Sequence, residues 1–270
     1  MTTLFMKKER MCICGTVRNV GKYIDVALRN MHTIGKNCLD YHIILYYDDS
    51  SDNTLEKLMK EKEKEEGGSR LTLLQNSEKM SPLRTVRIAK GRNAILDEMR
   101  KNFHHFSMFI MMDCDDKANF RVNLSLLERC IRAKNKWDSV SFKHPDHYYD
   151  CWALSVRPFV LSCHGFKNWS QGAEYIKKLM SRAKPGTFIP VLSAFNGFAM
   201  YKMSTFLPEG RYNGRYDPKL FHPTVSAYHR YLARGRFNPG PEDCEHRSFH
   251  VKASQRGARI VICPEQVFVV

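Results

Sequence analysis

The sequence predicts an α/β protein with a mostly parallel central sheet and helices on both faces. Three observations carry this. Short apolar runs alternate with amphipathic stretches through the first half of the chain, about 30 residues per unit, the rhythm of βαβ repeats. Three of those runs end in polar clusters, as strands do where an open sheet binds its ligand. The 270 residues, 43% hydrophobic and 26% charged, are globular values and supply enough chain for a large core.

The elements follow in order. Residues 11–16, "MCICGT", read as a short buried strand, followed by a helix over about 21–33 with Ile24, Ala27, Leu28 and Met31 at helical spacing. Residues 41–47, "YHIILYY", form the second strand, and "DDSSDNT" is a polar turn offering N-caps to a charged helix over 54–66 that stops at Gly67-Gly68. "LTLLQN" is the third strand, residues 84–101 a basic amphipathic helix, and "FSMFIMM" the fourth strand. The second half is less regular. It carries aromatic-rich strands around 137–156 and 189–201, a helix near 221–234 and a final strand in "RIVICPEQVFVV". With no repeat and no low-complexity linker, one domain spanning 1–270 is the simplest organisation.

No apolar run approaches the roughly 18 residues that span a bilayer, and "MTTLFMKKER" has no apolar signal core. The expectation is a soluble, cytoplasmic protein. Nine cysteines, an odd number without a CxxC pair, read as free thiols. The sequons at Asn123 and Asn168 read as chance matches in such a protein. A formal net charge of +15 calls for an anionic partner: nucleic acid, an anionic membrane or a phosphorylated small substrate. The basic residues are spread along the chain, which argues against a nucleic-acid arm and leaves peripheral membrane contact open.

The stretch "MFIMMDCDDKANF" holds the sharpest signal, five apolar residues running into Asp113, Asp115 and Asp116. Bare carboxylates repel one another unless solvent screens them or a cation neutralises them. Asp113 and Asp115 are two apart, so an extended backbone points both the same way. Mg²⁺ and Mn²⁺ take such oxygen ligands and fill their shell with water and substrate phosphates. An ordinary Asp-rich turn is the competing reading. The helix before this strand carries Arg84, Arg87, Lys90 and Arg92 on about two turns, and Arg forks suit phosphate. No Walker lysine motif and no GxGxxG occurs, so a metal would have to hold a diphosphate here.

Taken together, "CGTVRNVGKYIDVALRN", "YYDDSSDNT", "AKGRNAIL", "FIMMDCDD", "YYDCWALS", "FNGFAMYK" and "EDCEH" resemble the nucleotide-sugar glycosyltransferases of the GT-A fold. Among these the chain is most similar to glycosyltransferase domains encoded by large DNA viruses of algae, and more distantly to fungal capsule mannosyltransferases. A virus-encoded chain would work in the host cytoplasm.

The resemblance implies a nucleotide-binding half over 1–120 and an acceptor and catalytic half over 121–270. It places Thr16 and Asn19 at the nucleobase and ribose, Asp49 on the base, and Arg92 near the nucleotide, with Arg18, Asp48, Arg87 and Cys114 completing the donor set. Asp113 would meet the ribose or a metal-bound water, Asp115 the metal directly, and Asp116 the donor sugar. Mn²⁺ or Mg²⁺ would be the cofactor, a UDP-sugar the favoured donor and a glycan or other hydroxyl compound the acceptor. One departure stands out: Ser50 replaces the glycine usual in this turn.

Transfer with inversion also needs a base for the acceptor proton. "RGRFNPGPEDCEHRSFH" offers Asp243 first and Glu242 second, behind a Gly/Pro-rich loop, with helix capping as the competing role. His246 could complete the metal shell. Asp150 beside Trp152 suits a sugar, and Asn196-Gly197 would let backbone approach a substrate. Two other classes remain: a metal-dependent nucleotidyltransferase or nucleic-acid-binding enzyme, which also uses paired acids and positive charge, and a sugar-binding module lacking the base.

Overall fold

The computed structural model describes residues 5–64, 70–79, 81–145, 148–156, 169–224, 227 and 241–269. Its strands are β1 (Arg10–Val17), β2 (Asp40–Tyr47), β3 (Leu71–Gln75), β4 (Met108–Met112), β5 (Arg121–Val122), β6 (Ser139–Lys143), β7 (Ile189–Val191), β8 (Phe198–Lys202), β9 (Ile260–Gln266) and β10 (Phe268–Val269). Its helices are α1 (Ile24–Gly35), α2 (Thr54–Glu63), α3 (Arg84–Asn102), α4 (Leu124–Arg132), α5 (Trp169–Arg182), α6 (Met203–Phe206) and α7 (Glu245–Gln255).

Eight strands form one sheet in the order β3-β2-β1-β4-β8-β6-β9-β7, and β5 and β10 pair separately. The first four run parallel, with Val17 beside Tyr47 and Cys14 beside Met111. Their carboxyl ends therefore open onto one edge. β8 runs antiparallel between β4 and β6, and β9 is parallel to β6.

Successive residues of a strand face opposite sides, and β1 uses this to seed two cores. Met11 and Ile13 pack with α1, Leu58 and the α4 residues Leu127 and Ile131. Cys12 and Cys14 pack with Ile95, Leu96 and Met99 of α3 and Phe249 of α7. Burial on both faces explains why these strands read as continuous apolar runs rather than alternating ones. The eight described cysteines are all buried free thiols, as the sequence suggested.

Three expectations change. The strand anticipated over 137–156 stops at Lys143, where the register shifts after Phe142 and Pro145 follows; the chain then leaves the sheet and delivers Tyr149 and Asp150 to the site. The strand anticipated over 189–201 divides at Asn196 and Gly197, which have φ of 55° and 81°. The charged helix ends at Glu63, and its expected stop at Gly67-Gly68 lies outside the described residues. So does most of the expected helix at 221–234, together with Gly235, Pro239 and Gly240.

Candidate active site

The loops after β1 and β2 are tied to each other. Asn19, at positive φ, accepts from the Ser51 amide at 2.8 Å and offers its own amide to the Ser50 hydroxyl at 3.0 Å. Ser50 in turn donates to the Asp48 carbonyl at 3.0 Å. Asp52 accepts from the Gly21 and Thr54 amides at 2.8 and 3.0 Å. Ser50 thus has a reason of its own: its hydroxyl bridges two loops, and its φ is not positive, so no glycine is required.

Between these loops, the start of α3 and the end of β4 lies a cavity of about 390 Å³. Thr16, Arg18, Asn19, Asp48, Arg87, Arg92, Asp113, Cys114 and Asp115 all line it, so the polar strand ends do share one crevice. Asp49 does not line it. It is exposed, and its carbonyl accepts from Arg18 at 3.1 Å. Tyr46 and Asp48 line the cavity together, two residues apart and so on one side of the chain. One Asp48 oxygen accepts from Asn76 at 2.9 Å, and the other lies 3.9 Å from Arg87 Nε. Arg87 is otherwise spent on the Ser81 and Pro82 carbonyls.

A second cavity of about 410 Å³ adjoins the first and shares Arg84, Ile88, Arg92 and Asp113 with it. Asp150, Trp152, Phe195, Glu245 and His246 line the rest, with Tyr149. Arg92, 3% exposed, sits at the junction. It donates to Glu245 and to Asp113, the latter at 3.3 Å, and its guanidinium lies 4.6 Å from the Phe195 ring centre. Burial alone would lower its pKa, but Glu245 and Asp113 outweigh that and raise it. Arg84 stands at the shared mouth, exposed and without an ion pair among the described residues.

Asp113 and Asp115 face the cavity, while Cys114 turns into the core, where a Cβ on Gly15 would come within 2.6 Å of its sulfur. Burial and the charge of Asp115 push the Asp113 carboxyl up to about 7, against the pull of Arg92. Burial likewise raises Asp115, whose side chain accepts from the Lys117 amide at 3.1 Å. A cation would relieve this crowding of negative charge, so the pair fits a hard divalent ion. Asp116 turns outward and pairs with Lys117 at 3.0 Å.

His246 does not join them. Among the described residues no three His, Cys, Asp or Glu side chains gather as a metal site. The His246 ring stacks 3.8 Å from Phe195, and its Nε2 faces Arg92. Burial and the Arg92 charge hold its pKa well below the ordinary value. The lone pair a metal would need is already committed to a cation.

Asn196 and Gly197 act by fixing the frame. The Asn196 side chain accepts from the Tyr149 and Asp150 amides at 3.0 and 3.1 Å and donates to the Phe142 carbonyl at 2.9 Å. The Gly197 carbonyl accepts from the Asp113 amide at 2.9 Å. A Cβ at Gly197 would overlap the Tyr149 hydroxyl, which itself donates to Asp113 at 3.4 Å.

Neither expected base lines either of these two cavities. Glu242 accepts from the Thr85 amide and hydroxyl at 3.0 and 2.8 Å, capping α3 rather than the helix it precedes. Asp243, 1% exposed, accepts from Arg247 Nε through both oxygens, at 2.9 and 3.1 Å, and from the Cys244 amide at 2.6 Å. Arg247, fully buried, also donates to the Trp152 and Leu154 carbonyls and the Ser155 hydroxyl. A carboxylate locked onto a buried guanidinium cannot reach an acceptor. The Asp243–Arg247 spacing of four at a helix start was a legible sign of this. Sequence reasoning gave no part to Tyr149, Phe195 or Arg247, whose roles depend on partners far along the chain.

The architecture is that of the GT-A glycosyltransferases, an α/β fold with a large, mostly parallel sheet flanked by helices. Among solved structures the chain matches TarS of S. aureus with a TM-score of 0.52 and 13% identity, over 96% of this chain and 36% of that one. A mannosyltransferase of Pyrobaculum calidifontis, solved with GDP-Man and Mn²⁺, matches at TM-score 0.45 and 14% identity, over 94% of this chain and 56% of that one. Glucosyl-3-phosphoglycerate synthase of Mycobacterium tuberculosis, solved with Mn²⁺, UDP and phosphoglyceric acid, matches at 0.42 and 12%, over 73% and 57%. The chain spans less than two thirds of the length of each. No protein-family model and no curated protein matches it. No helix among the described residues is long and apolar enough to cross a membrane.

Proposed function

We propose that this chain is a metal-dependent glycosyltransferase that moves a sugar from a nucleotide-sugar donor to a hydroxyl of a glycan or similar acceptor. The observation that carries the reading is the pair of adjoining cavities with Asp113 and Arg92 on their common wall. The nucleotide occupies the first cavity and the acceptor the second, so the anomeric carbon lies at the junction. Asp113 and Asp115 would hold Mn²⁺ or Mg²⁺, with diphosphate and water as the remaining ligands. When bound there, the ion would supply Lewis-acid stabilisation to the departing diphosphate. Arg84 adds a positive charge at the same place, and Arg92 keeps Asp113 oriented.

A uridine donor fits Asp48. One oxygen accepts from both the Asn76 side chain and the Asp49 amide, so the carboxylate keeps the other, 3.9 Å from Arg87 Nε, for a single ring N–H such as that of uracil, whereas guanine presents two adjacent donors. Trp152 beside Asp150 offers a sugar an apolar face and a hydrogen-bond acceptor together. The narrower likeness to virus-encoded domains rests on the sequence motifs alone.

Calorimetry with UDP, with and without Mn²⁺, followed by hydrolysis of a panel of UDP- and GDP-sugars, tests the reading. UDP affinity should rise with metal and fall in Asp48→Ala, and one UDP-sugar should be hydrolysed. Equal UDP affinity in excess chelator refutes the metal's role. Tight, steeply salt-dependent binding of DNA or RNA without sugar-nucleotide turnover would point to a nucleic-acid enzyme instead.

A further inference from the structure

We infer that Asp150 takes the proton from the acceptor hydroxyl, a role that would make the transfer inverting. The inference rests on the glycosyltransferase reading above. Three carboxylates line the second cavity: Asp113, Asp150 and Glu245. Asp113 belongs to the acidic pair facing the donor. Glu245 is engaged by the Arg92 guanidinium and lies 3.7 Å from His246 Nε2. Burial raises its proton affinity as it does that of Asp150, so what separates the two acids is the guanidinium held against Glu245 Oε1.

Asp150 is held differently. One oxygen accepts from the Ala153 amide at 3.1 Å and the other from the Asn196 amide at 3.2 Å. Among the described residues no cationic side chain hydrogen-bonds it. Each oxygen keeps a lone pair beyond its single backbone donor, and burial raises its proton affinity against the lowering effect of those amides and of the Arg92 and Arg247 charges.

The frame makes the placement rigid. Asn196 binds the amides of Tyr149 and Asp150, the next residue binds the Asp113 amide, and Tyr149 donates to Asp113. The proton acceptor and the donor-facing acid are therefore fixed to the one turn at Asn196-Gly197, which holds the acceptor side and the donor side at a set separation. Trp152, two residues on, shares the cavity wall.

The step balances. The acceptor O–H proton passes to Asp150 as that oxygen attacks the anomeric carbon from the second cavity. The bond from the carbon to the diphosphate oxygen breaks, and its electron pair leaves with the nucleoside diphosphate.

The test uses the whole chain with the UDP-sugar it hydrolyses fastest and a soluble sugar acceptor. Asp150→Asn should bind UDP as wild type does and transfer about 10²–10⁴-fold more slowly. Asp150→Glu, which keeps the base one methylene further out, should transfer faster than the Asn variant. NMR of the product should show the inverted anomer. Wild-type transfer by Asp150→Asn, equal rates for the Asn and Glu variants, or a retained anomer would each overturn the inference. A wild-type protein that binds neither UDP nor GDP would instead overturn the glycosyltransferase reading on which it depends.

Discussion

Replacing Asp243 with asparagine distinguishes a catalytic from a structural acid. If Asp243 were the base, Asp243→Asn would leave stability nearly unchanged and abolish transfer. The structure requires a large loss of stability. Both oxygens lie within 3.1 Å of Arg247 Nε, and neither side chain is more than 2% exposed. The substitution leaves the guanidinium buried without its counter-ion, which typically costs about 3–5 kcal/mol. Contacts from Arg247 to the Trp152 and Leu154 carbonyls and Ser155 remain, but neutral acceptors do not replace a charge. For a chain of 270 residues each kcal/mol lowers Tm by about 2 °C, so the melt should fall by about 6–10 °C. The double variant Asp243→Asn/Arg247→Met removes both charges and should regain part of that loss. Calorimetric or dichroism melts of the four proteins close the cycle. An Asp243→Asn protein that melts like wild type yet has lost transfer would refute the structural assignment and restore Asp243 as base.

Gly197→Ala should lower stability by about 2–4 kcal/mol, combining the left-handed backbone with overlap at Tyr149, and should weaken Mn²⁺-dependent UDP binding. Unchanged binding by calorimetry would show that Tyr149 and Asp113 need not approach so closely. Glu242→Gln should cost about 1 kcal/mol in a denaturant titration through a weaker cap on α3, and an unchanged midpoint would remove that role. Burial would raise the pKa of Asp138, but hydrogen bonds from Arg259 and Lys202 prevail and hold it below the ordinary range. The stability this pairing contributes is therefore present above the unfolded pKa of about 3.9. It is lost as pH falls through the folded value. The gap in Tm between wild type and Asp138→Asn should be full at pH 6 and shrink below about pH 4; a gap independent of pH would contradict the shift.

The sequence alone determined the alternation of strands and helices and a mostly parallel sheet, and it put polar clusters at three strand ends; the order of the strands brought those ends into one cavity. The alternation and the parallel sheet follow from local periodicity: a strand repeats every two residues, a helix every 3.6, and parallel strands joined by helices end on one edge. The same periodicity put Asp113 and Asp115 on one side with Cys114 on the other, but it could not tell which of Asp48 and Asp49 faces the cavity, because both sides of β2 are buried. Tertiary structure alone decided what each acid in the second half does. Glu242 caps a helix through Thr85, 157 residues earlier, and Arg92 meets Glu245 across 153. A carboxylate's role depends on whether it faces a guanidinium, a backbone amide or open space. "EDCEH" reads identically in all three cases, and only the packing of α7 against α3 and the 150–155 segment fixes which one holds.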